Sequence, residues 1–353
     1  MKNTGNMKLT RSLLILAAAL AAVSCQQKAE TPSEGEFVDI SLTAGIPGAI
    51  GTYADGDASS SDAFSHQGGA LNVDHEQLDL RYIIEVWTNE QTPRLAFRDV
   101  QTIDKDFDKT PVTFKMRLQS LSYYFVLWAD FVTEDTSEDL HYSTDANLQN
   151  ITYSEDIAGP GDMASDEMDA YCAVEQVDFV TEGMTKSITL KRPFGKIRLI
   201  ATDNVDSDGF VDIHPVVATI DFKDSKFPDT YNALTQKATV SNDGTKASGT
   251  NVFDFNVVPE DAVVSGTTYT GSYLLGFNYF LANDETPSHE MDVTVYGDAG
   301  KTVKLNTVSL SSIPVSTNKL TTVVGNFYSS EGTITIIVDD NFDSPENLSD
   351  PEN

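Results

Sequence analysis

Basic residues are scarce in this chain, and their scarcity limits its partners. The 353 residues include 23 lysines and arginines against 54 aspartates and glutamates, which gives a formal net charge of −31 and an isoelectric point near 4.2. A surface this negative repels phosphate backbones and anionic lipid headgroups. We therefore exclude nucleic-acid binding and docking onto a membrane through a basic face.

Cysteines and catalytic motifs are also few. The two cysteines, Cys25 and Cys172, cannot form a disulfide scaffold or a cysteine-rich zinc module. The five histidines lack metal-ligand spacing, and no nucleophile elbow, phosphate-binding loop or dinucleotide fingerprint occurs. The sequence therefore predicts a protein that is not an enzyme, with no metal site and no cofactor. A weak calcium site stays open at Asn204–Gly209, although Pro215 stands where an EF-hand loop has its glutamate.

The apolar run near the N-terminus, Leu13–Val23, is shorter than the roughly 20 residues that a membrane-spanning helix needs. It follows three basic residues and leads into Ser24-Cys25, as in a bacterial lipobox, where the cysteine is diacylated. We expect residues 1–24 to be a lipoprotein signal peptide. Cys25 would be lipidated and hold the protein in the outer membrane, and residues 25–36 would form a flexible tether. The alternative is an ordinary secretory signal with a coincidental cysteine.

Alternation of apolar and polar residues predicts β-structure through the rest of the chain. Phe37–Thr43 and Thr333–Val338 alternate with period two, and Tyr123–Phe131 is apolar on both faces, as in a central strand covered on two sides. Met291–Leu305 has the pattern of a hairpin around a Gly-Asp-Ala-Gly turn. Convincing amphipathic helices are absent. The fold class that this pattern favours is all-β, built from β-sandwiches.

Cys172, Trp87 and Trp128 are interpreted as packing residues. The two tryptophans lie in strand-like apolar runs, and no residue pattern near Cys172 favours a reactive thiol. A buried thiol behaves as a small hydrophobe, and this interpretation is preferred to a reactive cysteine. Core packing of the two tryptophans is likewise preferred to a sugar-stacking platform.

The domain boundary is predicted near Pro193, which cannot donate a ladder hydrogen bond and separates two strand-like segments. At about 100–200 residues per domain, the length of the chain fits two domains or three. We expect an N-terminal β-sandwich over residues 37–190 and a C-terminal one over residues 191–340. Residues 341–353 would form an acidic tail.

Several segments together resemble the fimbrillins, the lipoprotein-derived subunits of type V pili on Gram-negative anaerobes. The lipobox at Cys25 is the first. Ile188–Leu199 is similar to a Leu-x-Arg-x-x-Ala-Lys-Val segment near the domain junction of those proteins, with Gly195 where they often have alanine. Ile313–Phe327 is similar to their Asn-x-x-Thr-x-x-x-Gly segment before the last strand, and Tyr124–Asp130 resembles part of their first domain.

This resemblance implies two tandem transthyretin-like β-sandwich domains and a surface-exposed structural or adhesive subunit of a fimbrium. Its partners would be copies of itself or other pilus subunits, together with a ligand on a host or bacterial surface. It also implies assembly by strand exchange, in which a protease removes the first strand and a strand from the next subunit replaces it. The replaceable strand would carry Val38, Ile40 and Leu42. The candidate donor strand would carry Ile334, Ile336 and Val338, unless both strands simply complete their own domains.

The resemblance implies cleavage after a basic residue in the loop beyond the first strand. This sequence does not fit that expectation, because residues 29–80 contain no lysine or arginine. Either a protease of other specificity acts between Gly45 and Leu71, or the first strand is retained. A retained strand would make the protein an anchor, a cap or a non-polymerising surface lipoprotein. The alternative function is therefore a glycan- or ligand-binding outer-membrane lipoprotein.

Overall fold

The computed structural model describes residues 35–47, 76–107, 109–144, 147–157, 159–203, 216–223, 227–240, 250–254, 260–265, 267–282, 288–328 and 333–339. The predicted signal peptide, Cys25, the acidic run from Asn204 and the tail lie outside the described residues. Nearly all regular structure is β. The first ten strands are β1 (Phe37–Gly45), β2 (Leu78–Thr88), β3 (Leu95–Ile103), β4 (Val112–Gln119), β5 (Tyr123–Thr133), β6 (Tyr142–Ser143), β7 (Ile151–Tyr153), β8 (Ala170–Val177), β9 (Thr185–Thr189) and β10 (Phe194–Ala201).

The described residues contain ten further strands. They are β11 (Val217–Phe222), β12 (Thr230–Asn232), β13 (Lys237–Thr239), β14 (Thr250–Asp254), β15 (Glu260–Val264), β16 (Thr267–Leu281), β17 (His289–Tyr296), β18 (Lys304–Ile313), β19 (Lys319–Gly325) and β20 (Ile334–Asp339). The helices of the described part are two 3₁₀ turns, Pro160–Asp162 and Asp166–Met168. Within that part, no helix has the length and apolar character needed to cross a membrane. The all-β fold class predicted from the sequence is confirmed.

Two sheets form the N-terminal half. Sheet I has the strand order β4-β1-β9, and sheet II has the order β3-β2-β5-β8. Apolar side chains from one face of each sheet meet in a single buried cluster, because the period-two pattern of β1, β2 and β4 directs alternate residues to that side. β5 lies between β2 and β8 and is buried along nearly its whole length, as predicted for a strand covered on both faces.

Two more sheets form the C-terminal half. Sheet IV has the order β14-β11-β17-β18, and sheet V has the order β15-β16-β10-β19-β20. The predicted hairpin is present, since β17 and β18 pair antiparallel around the turn at Gly297. In sheet V, β10 pairs antiparallel with β16 and parallel with β19. β1 has the same kind of neighbours in sheet I, antiparallel β4 and parallel β9.

A further sheet joins the two halves. Sheet III has the order β13-β12-β7-β6, and Tyr231 of β12 pairs with Ile151 of β7 across the predicted boundary. Its side chains belong to the largest apolar cluster, which also contains Trp128 from the outer face of sheet II and Phe280 from sheet V. The boundary near residue 190 stays a prediction. What the sequence did not indicate is that strands from both sides of it share a sheet and a core.

Candidate functional site at the first and last strands

β1 is the central strand of sheet I. It pairs antiparallel with β4 over eight residue pairs from Phe37 to Ala44, and parallel with β9 over five from Ser41 to Gly45. Backbone bonds extend the pairing, since the Ser41 N–H donates to the Met184 carbonyl at 2.9 Å. Removal of β1 would therefore leave two strands without their shared neighbour, and would leave the backbone donors and acceptors of both unpaired.

The inward side chains of β1 reach deep into the N-terminal core. Val38, Ile40 and Leu42 are buried, as are Ala44 and Ile46 beyond them. The alternate residues face outward, and Phe37 at the start of the strand is 54% exposed. Each predicted residue of the first strand is thus placed in one apolar cluster with sheet II. Residues 48–75, which follow this strand and carry most of the predicted cleavage region, lie outside the described residues.

β20 is the last strand of the described residues and lies at the edge of sheet V, paired antiparallel with β19. Its register sets Ile336 opposite Val323 and Val338 opposite Thr321. Ile334 packs against the main apolar cluster, but Ile336 and Val338 remain 40% and 39% exposed. The three residues predicted as a donor stripe therefore lie on one face of an edge strand, and two of them are only partly covered.

Beyond the strands, the junction segment that follows β9 carries two buried cations. Arg192 binds Asp169, with its Nε 2.7 Å from one carboxylate oxygen, and its Nη2 donates to the Tyr171 hydroxyl at 2.8 Å. Lys196 Nζ lies 3.1 Å from Asp166 Oδ1. Sequence reasoning identified this segment by its pattern but did not assign these side chains to the interior.

A family model matches residues 32–351, which is nearly the whole chain; the family is DUF6562, described as a family of unknown function. The chain belongs to DUF6562. No curated protein matches its sequence.

Solved structures similar to this DUF6562 protein share little sequence with it. The tip fimbrial protein Mfa3 of Porphyromonas gingivalis has a TM-score of 0.46 and 9% identity, over 86% of this chain and 99% of that one. A candidate cell adhesion protein of Parabacteroides distasonis has a TM-score of 0.46 and 9% identity, over 87% and 98%. A fimbrial assembly protein of the same species has a TM-score of 0.37 and 8% identity, over 86% and 99%.

The other residues singled out from the sequence of this DUF6562 protein lie mostly in its interior. Cys172 is buried, and burial raises the pKa of its thiol to about 12, so the reactive thiolate is disfavoured. Trp128 is buried against Tyr142 and Tyr231, and the half-buried Trp87 donates its indole N–H to Glu85. Among the described residues, no group of three or more histidines, cysteines or acids is arranged to hold a metal ion.

Proposed function

We propose that this protein is a structural or adhesive subunit of a cell-surface fimbrium that assembles by β-strand exchange. It would be exported as a lipoprotein and held in the outer membrane through Cys25 until proteolysis removes β1. The processed subunit would then join copies of itself or other pilus subunits. The observation that carries this proposal is the position of β1, a terminal strand that fills the centre of a sheet and is followed by a long, polar segment.

The energetics of β1 support its exchange. Val38, Ile40 and Leu42 are each buried, and burial of such a side chain contributes about 1.5–3 kcal/mol. Together they contribute roughly 5–9 kcal/mol, which is comparable to the whole stability of a domain, about 5–15 kcal/mol. An N-terminal half that has lost β1 should therefore bind a replacement strand strongly.

β20 is the proposed donor. An edge strand has only one partner strand, so it can leave its sheet at lower cost than a central strand. Its Ile334, Ile336 and Val338 repeat the period of Val38, Ile40 and Leu42, so the same alternation can fill the vacated positions. The partial exposure of Ile336 and Val338 also fits residues whose full burial comes only in the assembled state.

The alternative is a surface lipoprotein that binds a glycan or other ligand and does not polymerise. The feature that favours it is the absence of any lysine or arginine from residues 29–80, since a protease specific for basic residues would leave β1 in place.

The first test is the form of the protein on the cell surface. We expect a species that begins between Gly45 and Leu71 by intact mass, and ladders on unboiled SDS gels that collapse on boiling. A species that begins at lipidated Cys25, with no shorter form and no ladder, would contradict strand exchange and support the ligand-binding alternative.

Substitutions in β20 test the donor strand itself. Ile336→Asp and Val338→Asp should each abolish the ladder, because a charge cannot enter the apolar groove without a partner. Thr335→Asp is the matched control, since Thr335 is exposed and lies on the opposite face of the same strand. The control should keep the ladder. Circular dichroism of the unassembled variants shows whether they retain the fold. A ladder that survives Ile336→Asp would rule out β20 as the donor strand.

A further inference from the structure

Lys196 and Asp166 make a contact that is unusual for its depth. Both side chains are completely buried, and the amine nitrogen of Lys196 lies 3.1 Å from Oδ1 of Asp166. The two residues are 30 positions apart in the chain. Asp166 begins a 3₁₀ turn of the N-terminal half, whereas Lys196 lies on β10 of sheet V, so the contact joins the two halves.

The surroundings of this pair are aromatic. Lys196 Nζ lies 4.6 Å from the ring centre of Phe277 and 4.7 Å from that of Tyr279. The Tyr279 hydroxyl donates to Asp166 Oδ1 at 2.8 Å and accepts a hydrogen bond from Lys196 Nζ at 2.9 Å. One carboxylate oxygen therefore contacts both the amine and a hydroxyl donor, and bulk water has no access to any of the three groups.

We propose that Lys196 and Asp166 condense to an intramolecular amide that covalently ties the N-terminal half to the C-terminal half. A proton first passes from the ammonium to the carboxylate, which gives a neutral amine and a neutral acid. The amine lone pair then attacks the carboxyl carbon and forms the carbon–nitrogen bond. The carbon–oxygen bond to the hydroxyl breaks, and that hydroxyl leaves with a proton from the nitrogen as one water molecule. Neither oxidation nor a co-reactant is involved.

The site favours formation of the carbon–nitrogen bond. Burial lowers the pKa of Lys196, because desolvation penalises its charged form, so the neutral nucleophilic amine becomes more accessible. The Tyr279 hydroxyl is placed to stabilise the oxygen on which negative charge develops. The fold holds the amine and the carboxyl group in contact, so the reaction needs no bimolecular encounter. For well-oriented groups, such an arrangement corresponds to effective concentrations on the order of 10⁵ M or more.

The neighbouring ion pair of Arg192 and Asp169 is not expected to form a second amide. Arg192 binds Asp169 in the same junction, and both are almost as deeply buried as the first pair. A guanidinium is not deprotonated in proteins and so cannot act as an amine nucleophile. The Arg192–Asp169 pair therefore stays ionic, while Lys196 next to Asp166 has the chemistry to react.

Peptide mapping of the full chain tests the proposal. The purified protein is unfolded and digested with trypsin, which does not cleave after an amide-linked lysine. We expect the peptide with Asp166 to be joined to the peptide with Lys196 at a mass one water below their sum, with no cleavage at Lys196. Separate, unmodified peptides and complete cleavage at Lys196, from protein that unfolds cooperatively, would overturn the proposal.

Two variants make the result specific. Lys196→Arg keeps a buried cation but removes the amine, so the linked peptide should disappear completely while β-sheet circular dichroism is retained. Tyr279→Phe keeps the ring and removes only the hydroxyl, so it should slow the appearance of the link after refolding. If Lys196→Arg fails to fold, Asp166→Asn takes its place. The asparagine side-chain amide can still condense with Lys196, but it loses ammonia in place of water. The linked peptides should then have a mass one ammonia below the sum of the two unlinked peptides. If Lys196→Arg still gives the same two peptides joined to each other, the assignment of the link to Lys196 is refuted.

Discussion

At the scale of single residues, buried ion pairs set the interior of the N-terminal half apart from an ordinary apolar core. Arg81 binds Asp130 through two hydrogen bonds, at 2.9 and 2.7 Å, and also binds Asp139 at 2.8 Å. Arg81 and Asp130 are almost completely buried. Burial raises the pKa of Asp130, and the adjacent guanidinium opposes that shift, so the carboxylate depends on its cation.

We predict that Arg81→Met lowers the free energy of unfolding by about 3–5 kcal/mol, because it leaves a buried carboxylate without its cation. Urea denaturation measures the change. Arg94→Met is the matched control: Arg94 pairs with Glu90 on the surface, and the same substitution there should leave the transition midpoint unchanged. Equal effects of the two substitutions would contradict the distinction between the buried and the exposed pair.

Charged residues in the interior are also where sequence reasoning reached its limit. Lysine and arginine normally indicate exposed positions, so the alternation around Arg192 and Lys196 does not reveal that both are buried. Gly195 lies between them, at a position where the fimbrillins often have alanine. In the structure a Cβ at this position would lie 2.5 Å from Val315 Cγ1, so the glycine is required by packing and alanine would not fit without a shift of its neighbours.

At the scale of elements, the close approach of β19 to the start of β20 depends on another glycine. A Cβ at Gly325 would lie 2.3 Å from the Thr333 carbonyl oxygen and 2.9 Å from Ile334 Cδ1. We predict that Gly325→Ala loosens β20 at a cost of about 1–3 kcal/mol, the usual cost of overpacking. Hydrogen exchange of the β20 amides should become faster, with the exchange of β1 unchanged.

Gly300→Ala is the control for this substitution. Its Cβ would meet the carboxylate of Asp298 at 3.1 Å, which is a side-chain atom that can move rather than main chain. Exchange of the β20 amides should therefore match the parent protein. If Gly325→Ala also leaves β20 protected, the last strand is held more firmly than its edge position implies.

Strands with a long alternating or continuously apolar pattern were predictable, and short ones were not. The predicted segments at Phe37–Thr43, Tyr123–Phe131 and Met291–Leu305 correspond to β1, β5 and the β17–β18 hairpin. The strands of sheet III contain two or three residues each, which is too short for any period to be read. The parallel pairing of β1 with β9 was equally hidden, because pairing partners far apart in the chain leave no local signal.

At the scale of the whole molecule, the two halves share sheet III, a common apolar cluster and the buried junction pairs, so they should unfold together. Trp87 and Trp128, the only tryptophans, both lie in the N-terminal half, so their fluorescence reports on that half. Tyr231 on β12 lies in the C-terminal half and is buried, with its ring centre 5.9 Å from that of Trp128. A substitution at Tyr231 therefore tests coupling across the junction.

We predict that Tyr231→Ala lowers the free energy of unfolding by about 3–5 kcal/mol, the range for truncation of a buried aromatic side chain. Tryptophan fluorescence and far-ultraviolet circular dichroism should shift to the same lower urea midpoint, because loss of this side chain weakens a core that both halves use. Val240→Ala, at an exposed position just after β13, should leave both midpoints unchanged. If the dichroism midpoint falls while the fluorescence midpoint stays, the halves unfold independently, and the shared sheet and core do not couple them.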